Sequence, residues 1–141
     1  MECNTAYDGD RSNTESHLKA AADHEFTAIA TLDIMDTEGE TALPVIGGKH
    51  LTRNIVGKNY LNYDFTIILS HFKGRAMGGF GGAIKNMSIA IASSNGKRLI
   101  HSAGTSTISW GNLALDDFLE SMSEAAKAVA DHCGGISCIS A

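Results

Sequence analysis

Asp64–Ser70 (DFTIILS) places Phe65, Ile67, Ile68 and Leu69 almost back to back. So dense a short run of β-formers predicts a strand buried on both faces, as in a parallel sheet. Leu115, Phe118, Leu119, Met122, Ala125, Ala126 and Val129 recur at helical spacing and predict a long helix. Asn112 stands where a cap belongs, Asp116 and Asp117 near the positive end of the helix, and Gly134 as its stop.

Weaker patterns fill the rest. Ser12-Asn13-Thr14-Glu15 reads as a capping box, with a helix to about His24. Partial alternation over Phe26–Ile34 predicts a strand near Ala28–Leu32. Thr41–Ile46 reads as an edge strand, because Pro44 cannot donate to a ladder. Gly47-Gly48 turns the chain into a further strand over Leu51–Val56, making a hairpin. Ala83–Ala92 reads as a mostly buried helix, Ser93–Lys97 (SSNGK) as a turn and Leu99–His101 as a short strand. Ser102–Gly111 reads as loop, and Ile136–Ala141 carries weak signals. The expected fold is a single α/β domain over residues 1–141. It would hold a mostly parallel sheet covered by helices, with a local antiparallel hairpin.

Composition narrows the class. The chain has 141 residues, is 43% hydrophobic and 19% charged, and holds one proline, which suits one packed core. Its net charge of -5 offers no basic footprint for nucleic acid, and no apolar run approaches a membrane span. Met1-Glu2-Cys3-Asn4 lacks the pattern of a secretory signal, so a cytoplasmic location is expected. The cysteines Cys3, Cys133 and Cys138 are odd in number and do not suggest a disulfide framework.

Between the apolar strand and the next helix, Gly74–Gly82 holds five glycines in nine residues. In a parallel fold, ligands sit beyond the C-terminal ends of the strands, which points to Ser70–Gly82. Glycine there lets backbone approach a ligand, and the start of the helix would present N–H groups to an anion. Lys73, Arg75 and Lys85 add positive charge. The candidate set for an anionic ligand is therefore Ser70, Gly74, Arg75, Gly78, Gly79, Gly81, Gly82 and Asn86, with His71, Lys73 and Lys85 as catalytic candidates. The spacing matches neither a phosphate-binding P-loop nor a dinucleotide fingerprint. His101 follows a Lys-Arg pair and could face the same crevice; His17, His24, His50 and His132 show no visible partners and read as ordinary surface histidines. Asp33 and Asp36 could supply a carboxylate, although a turn is the commoner role for Asp36.

LSHFKGRAMGGFGGAIKNMSIAIASSNGK (Leu69–Lys97) resembles the signature of the uncharacterised iron–sulphur-centre protein family, domain of unknown function 362. NTAYDGDRSNTESHLKAA (Asn4–Ala22), IATLDIMD, Val56-Gly57-Lys58 and TSTISWGNLALDDFLESM also fit, so the resemblance covers most of the chain. It implies an association with redox chemistry. The family usually carries His-Phe-Lys-Gly-His, where this chain has Arg75 in place of the second histidine. Many members also carry cysteine runs with two-residue spacings. None is present here, so no iron–sulphur cluster is expected within this chain, since four thiolates are the rule. The chain looks like the central part of a longer family pattern, which implies absent strands and predicts a homo-oligomer. The stretch 78–85 is also similar to the Gly-Gly-Arg-Lys segment of lactate racemases with a nickel-pincer cofactor, which would make Lys85 a tether.

Three functions remain open on these grounds. One is a ligand-binding domain gripping an anionic small molecule. Another is a metal- or cofactor-dependent enzyme using His71 and Lys85. The last is a fragment acting only through assembly.

Overall fold

The computed structural model describes residues 1–77 and 79–134 in full and the backbone of 136–140. Its core is built on α4 (Leu115–His132), which buries Phe118, Met122, Ala125, Ala126 and Val129 along one face, as the helical spacing predicts. The cap differs from expectation. Ala114 occupies the N-cap without a side-chain hydrogen bond, and Asn112 lies outside the helix.

Against α4 packs the hairpin of β1 (Glu40–Pro44) and β2 (Arg53–Gly57), antiparallel with Ala42 opposite Ile55. Leu43, Ile55 and Val56 face the core, and Pro44 closes the end of β1, where a missing donor costs least. Lys58–Asn62 then forms a 3-10 turn that buries Tyr60.

The segment predicted as a turn and a strand is instead α3 (Ser94–His101). Ser93 caps it, its Oγ accepting from the Gly96 N–H at 3.1 Å. Gly96 reads as a turn residue but serves close packing. A Cβ there would stand 1.9 Å from the Ile55 carbonyl oxygen, so only glycine lets the helix cross β2. Lys97 is buried on this helix, and its Nζ donates to the carbonyls of Ala92 (2.6 Å) and Asn4 (2.7 Å).

Near the N-terminus, α1 (Thr14–Asp23) forms as predicted, with Asn13 rather than Ser12 as cap, accepting from Ser16 N at 3.0 Å. The strand predicted over Ala28–Leu32 is absent. Phe26–Ala28 makes a 3-10 turn behind Glu25 in the left-handed region, and Ile29 is exposed. Alternation was incomplete there, and only Ile34 finds a strand-like partner, in Glu2.

β3 (Thr66–Ser70) lies where DFTIILS predicted it. It pairs parallel with β6 (Ile136–Ser140), Ile68 opposite Cys138. Burial alternates: Thr66, Ile68 and Ser70 point inward, while Phe65, Ile67 and Leu69 are exposed. The strand is therefore buried on one face, against the expectation of two. The architecture is mixed helix and strand in three two-stranded sheets, of which one is parallel, so the mostly parallel sheet is not found among the described residues. No helix among them is long and apolar enough to cross a membrane.

Candidate functional site

The glycine segment folds back on itself. β4 (Lys73–Arg75) and β5 (Gly79–Gly81) pair antiparallel, with Lys73 opposite Gly81, Gly74 opposite Phe80 and Arg75 opposite Gly79. The cradle from strand to helix is thus replaced by a two-stranded ribbon. Gly79, at φ +66°, turns the chain in the region that favours glycine. Gly78 lies outside the described residues.

Strand alternation sorts the ribbon into two faces. Phe72 and Phe80 share one face, ring centroids 5.2 Å apart and both exposed. Lys73, Arg75, Gly79 and Gly81 share the other. The glycines leave room there for the cations: Arg75 Cγ lies 3.3 Å and Nε 3.5 Å from where a Cβ on Gly81 would sit. The arginine stem therefore lies across a bare backbone.

Lys85 comes next, in the first turn of α2 (Ala83–Lys85), which continues as a π-helical turn over Asn86–Ala90. The π turn coincides with Ser88, whose Oγ bonds to the carbonyls of Ile84 (2.9 Å) and Lys85 (3.2 Å). Lys85 is half-buried. Burial, and then the Arg75 charge, push its ammonium below the usual lysine range. Neither Arg75 nor Lys85 makes a side-chain hydrogen bond or ion pair among the described residues. His101 stands toward this charge, stacked on Phe118 at 4.7 Å, with Nδ1 on the Lys97 carbonyl at 2.7 Å. Burial, opposed by that hydrogen bond, and the Lys85 charge hold its imidazole below the ordinary histidine range.

The other predicted site residues divide. Ser70 is buried and accepts from Asn86 Nδ2 at 3.1 Å, a bond that ties α2 to the end of β3. Gly74 lies within the ribbon in open space, and Gly82 follows it near the Phe80 ring. His71 and Lys73 are exposed, without side-chain hydrogen-bond partners among the described residues. The fold thus brings Arg75, Gly81 and Lys85 together and leaves His71 apart.

Sequence reasoning missed a second group. A cleft of about 390 Å³ runs between α1 and β3, lined by Glu2, His17, Phe26, Asp33, Ile67 and Asn86 among others. His17, expected at the surface, is 3% exposed. Its Nδ1 meets Asn4 Oδ1 at 3.2 Å and its Nε2 meets Glu2 Oε1 at 2.9 Å. The Asn4 amide nitrogen donates to Asp36 and Thr14, which leaves the amide oxygen to face the ring. Burial alone would raise the Glu2 carboxyl, but the His17 hydrogen bond and the Arg11 charge hold it below its usual value. Asp33 accepts from Asn59 (3.0 Å) and the Tyr63 hydroxyl (2.7 Å). That hydrogen bond and burial push the Tyr63 hydroxyl up to about 12. Partners this far apart in sequence leave no local spacing that could have shown them.

The cysteines are placed differently from one another. Cys3 is buried, donates to the Ile91 carbonyl at 3.1 Å, and is pushed up to about 12 by burial and then Asp36. Cys133 Sγ lies 3.6 Å from Thr66 Oγ1, and the Cys138 side chain lies outside the described atoms.

No curated protein and no solved structure matches the chain. One family does: the profile described as Domain of unknown function (DUF362) matches residues 1–139, and the chain belongs to that family.

Proposed function

We propose that this chain is a cytoplasmic ligand-binding domain whose ribbon holds a small anionic molecule between Arg75 and Lys85. One observation carries the reading. Lys85 is half-buried beside a like charge, with no carboxylate partner among the described residues. A lone cation pays the cost of desolvation and repulsion, and a phosphate or carboxylate between the two would relieve both. The bare backbone at Gly79 and Gly81 leaves the approach open. The exposed Phe72–Phe80 pair on the opposite face stands clear of the charges. The redox association implied by the family resemblance is not needed for this reading.

Calorimetric titration against inorganic phosphate, a nucleotide and a dicarboxylate tests it. Affinity on the order of micromolar to millimolar is expected for at least one, given a few charge-assisted hydrogen bonds less the cost of association. Lys85→Met should weaken binding without unfolding the chain. Gly81→Val should abolish it by displacing the Arg75 stem. A parent chain that binds none of the three removes the proposal.

A second reading, action through self-assembly, is favoured by the exposed apolar side chains at β3, of which Ile67 and Leu69 also line the cleft beside α1. Phe65, Ile67 and Leu69 are 55%, 57% and 73% exposed in a row, an apolar stripe that a second copy would cover. Sedimentation equilibrium of the parent and of Ile67→Lys decides it. A parent that is monomeric at micromolar concentration counts against this reading.

A further inference from the structure

We propose that His50, Asp117 and Glu120 form a divalent transition-metal site at the start of α4. The three side chains offer one nitrogen and two carboxylate oxygens, all within 4.8 Å of one another. His50 Nε2 lies 2.6 Å from Glu120 Oε2 and 3.8 Å from Asp117 Oδ1. Ligands about 2.0–2.2 Å from a tetrahedral zinc ion stand about 3.4 Å apart, so Glu120 would draw back from the imidazole by about 0.8 Å and Asp117 would approach it by about 0.4 Å. Asp117 and Glu120 lie three apart on α4 and therefore share a face.

The imidazole is brought to that face by a dedicated anchor. Glu124, one turn further along α4, accepts the backbone N–H groups of Lys49 (2.7 Å), His50 (3.1 Å) and Leu51 (2.8 Å). The loop is also pinned from both sides by glycine. A Cβ on Gly48 would stand 2.2 Å from the Leu51 carbonyl, and one on Gly104 2.2 Å from the His50 carbonyl. A histidine held by backbone in this way costs little further ordering on binding a metal. The His50 side chain is 13% exposed and the carboxylates are 43% and 46% exposed, so the remaining coordination positions open to solvent. One nitrogen and two oxygens suit an ion of zinc or manganese type better than calcium, which takes oxygen alone. Lys49 Nζ sits 2.7 Å from Glu120 Oε2 and is the competing cation that a metal would displace.

The site is independent of the Arg75–Lys85 ribbon. Zinc chloride titrated calorimetrically into the purified chain should show one equivalent bound. His50→Ala should weaken binding by more than about tenfold, since loss of an outer partner alone has that effect. Lys49→Met, at an exposed position, should tighten binding, an outcome that a purely structural ion network would not give. Cobalt substitution should give a spectrum without a thiolate charge-transfer band. Absence of zinc binding, full retention of binding in His50→Ala, no tightening in Lys49→Met, or a thiolate band from the cysteines would each overturn the proposal.

Discussion

In the hairpin of β1 and β2, Leu43, Ile55 and Val56 are buried against the helices, whereas in the ribbon of β4 and β5 every described residue except Gly81 is exposed. Both are antiparallel pairs joined by glycine-bearing turns. The difference lies in what the glycines serve. Around the hairpin, Gly48, Gly57 and Gly96 stand where any Cβ would strike backbone or core, so they set packing distances. Around the ribbon, Gly74 and Gly79 have nothing within 4 Å, so they leave space uncovered. A fold that leaves two cations and two phenylalanines exposed beside bare backbone gains no stability there. That is the reason for reading the ribbon as a binding surface.

The largest expected contrast sets Phe118 against Phe80. Phe118 is 1% exposed and Phe80 is 58% exposed. Phe118→Ala should destabilise by about 3–5 kcal/mol in urea unfolding, and Phe80→Ala by no more than about 0.5 kcal/mol. Comparable losses would show that the ribbon packs as firmly as the core. Next comes glycine. Gly96→Ala should cost about 3 kcal/mol by forcing α3 off β2, while Gly74→Ala should be nearly neutral. A smaller effect is expected at Ser93→Ala, about 1 kcal/mol, because the cap of α3 loses its acceptor. A protein unmoved by this change would undercut α3 as a capped helix.

Much of the core was legible in the sequence. The α4 stripe and the β1–β2 hairpin follow from periodicity and turn residues, and DFTIILS gave the position of β3. Its exposed face was not legible. Phe65, Ile67 and Leu69 have the chemistry of core residues, and only the absence of a covering element among the described residues exposes them. The α3 helix was missed because Gly96 serves a contact with Ile55, forty-one positions earlier, that no local rule encodes. Arg75 lies against Gly81 in the folded chain, but the expected strand-to-helix cradle is not found among the described residues. The pairing of Lys73 with Gly81 closes a ribbon before the helix begins. His17 and His50 were taken for surface residues because their partners, Glu2 and Glu120, meet them only in the folded chain.

The smallest stability effect concerns pH. The Lys85 pKa is lowered in the folded state, so its charged form is disfavoured there relative to the unfolded chain. The penalty is fully present below the folded value and is relieved as pH rises through it towards the ordinary lysine value of about 10.4. Lys85→Met should flatten that rise in a pH series of urea midpoints. An unchanged rise would place its source elsewhere.

Anion binding has the opposite sign, because a phosphate or carboxylate beside Lys85 favours its charged form. Carbon-detected NMR of the Lys85 Cε resonance across an alkaline titration, with and without the bound anion, reads this directly. The account predicts a Lys85 pKa below the usual lysine range in the free chain that moves upward when the anion is added. A Lys85 pKa that stays put while the anion binds would place the ligand away from the ribbon and contradict the account.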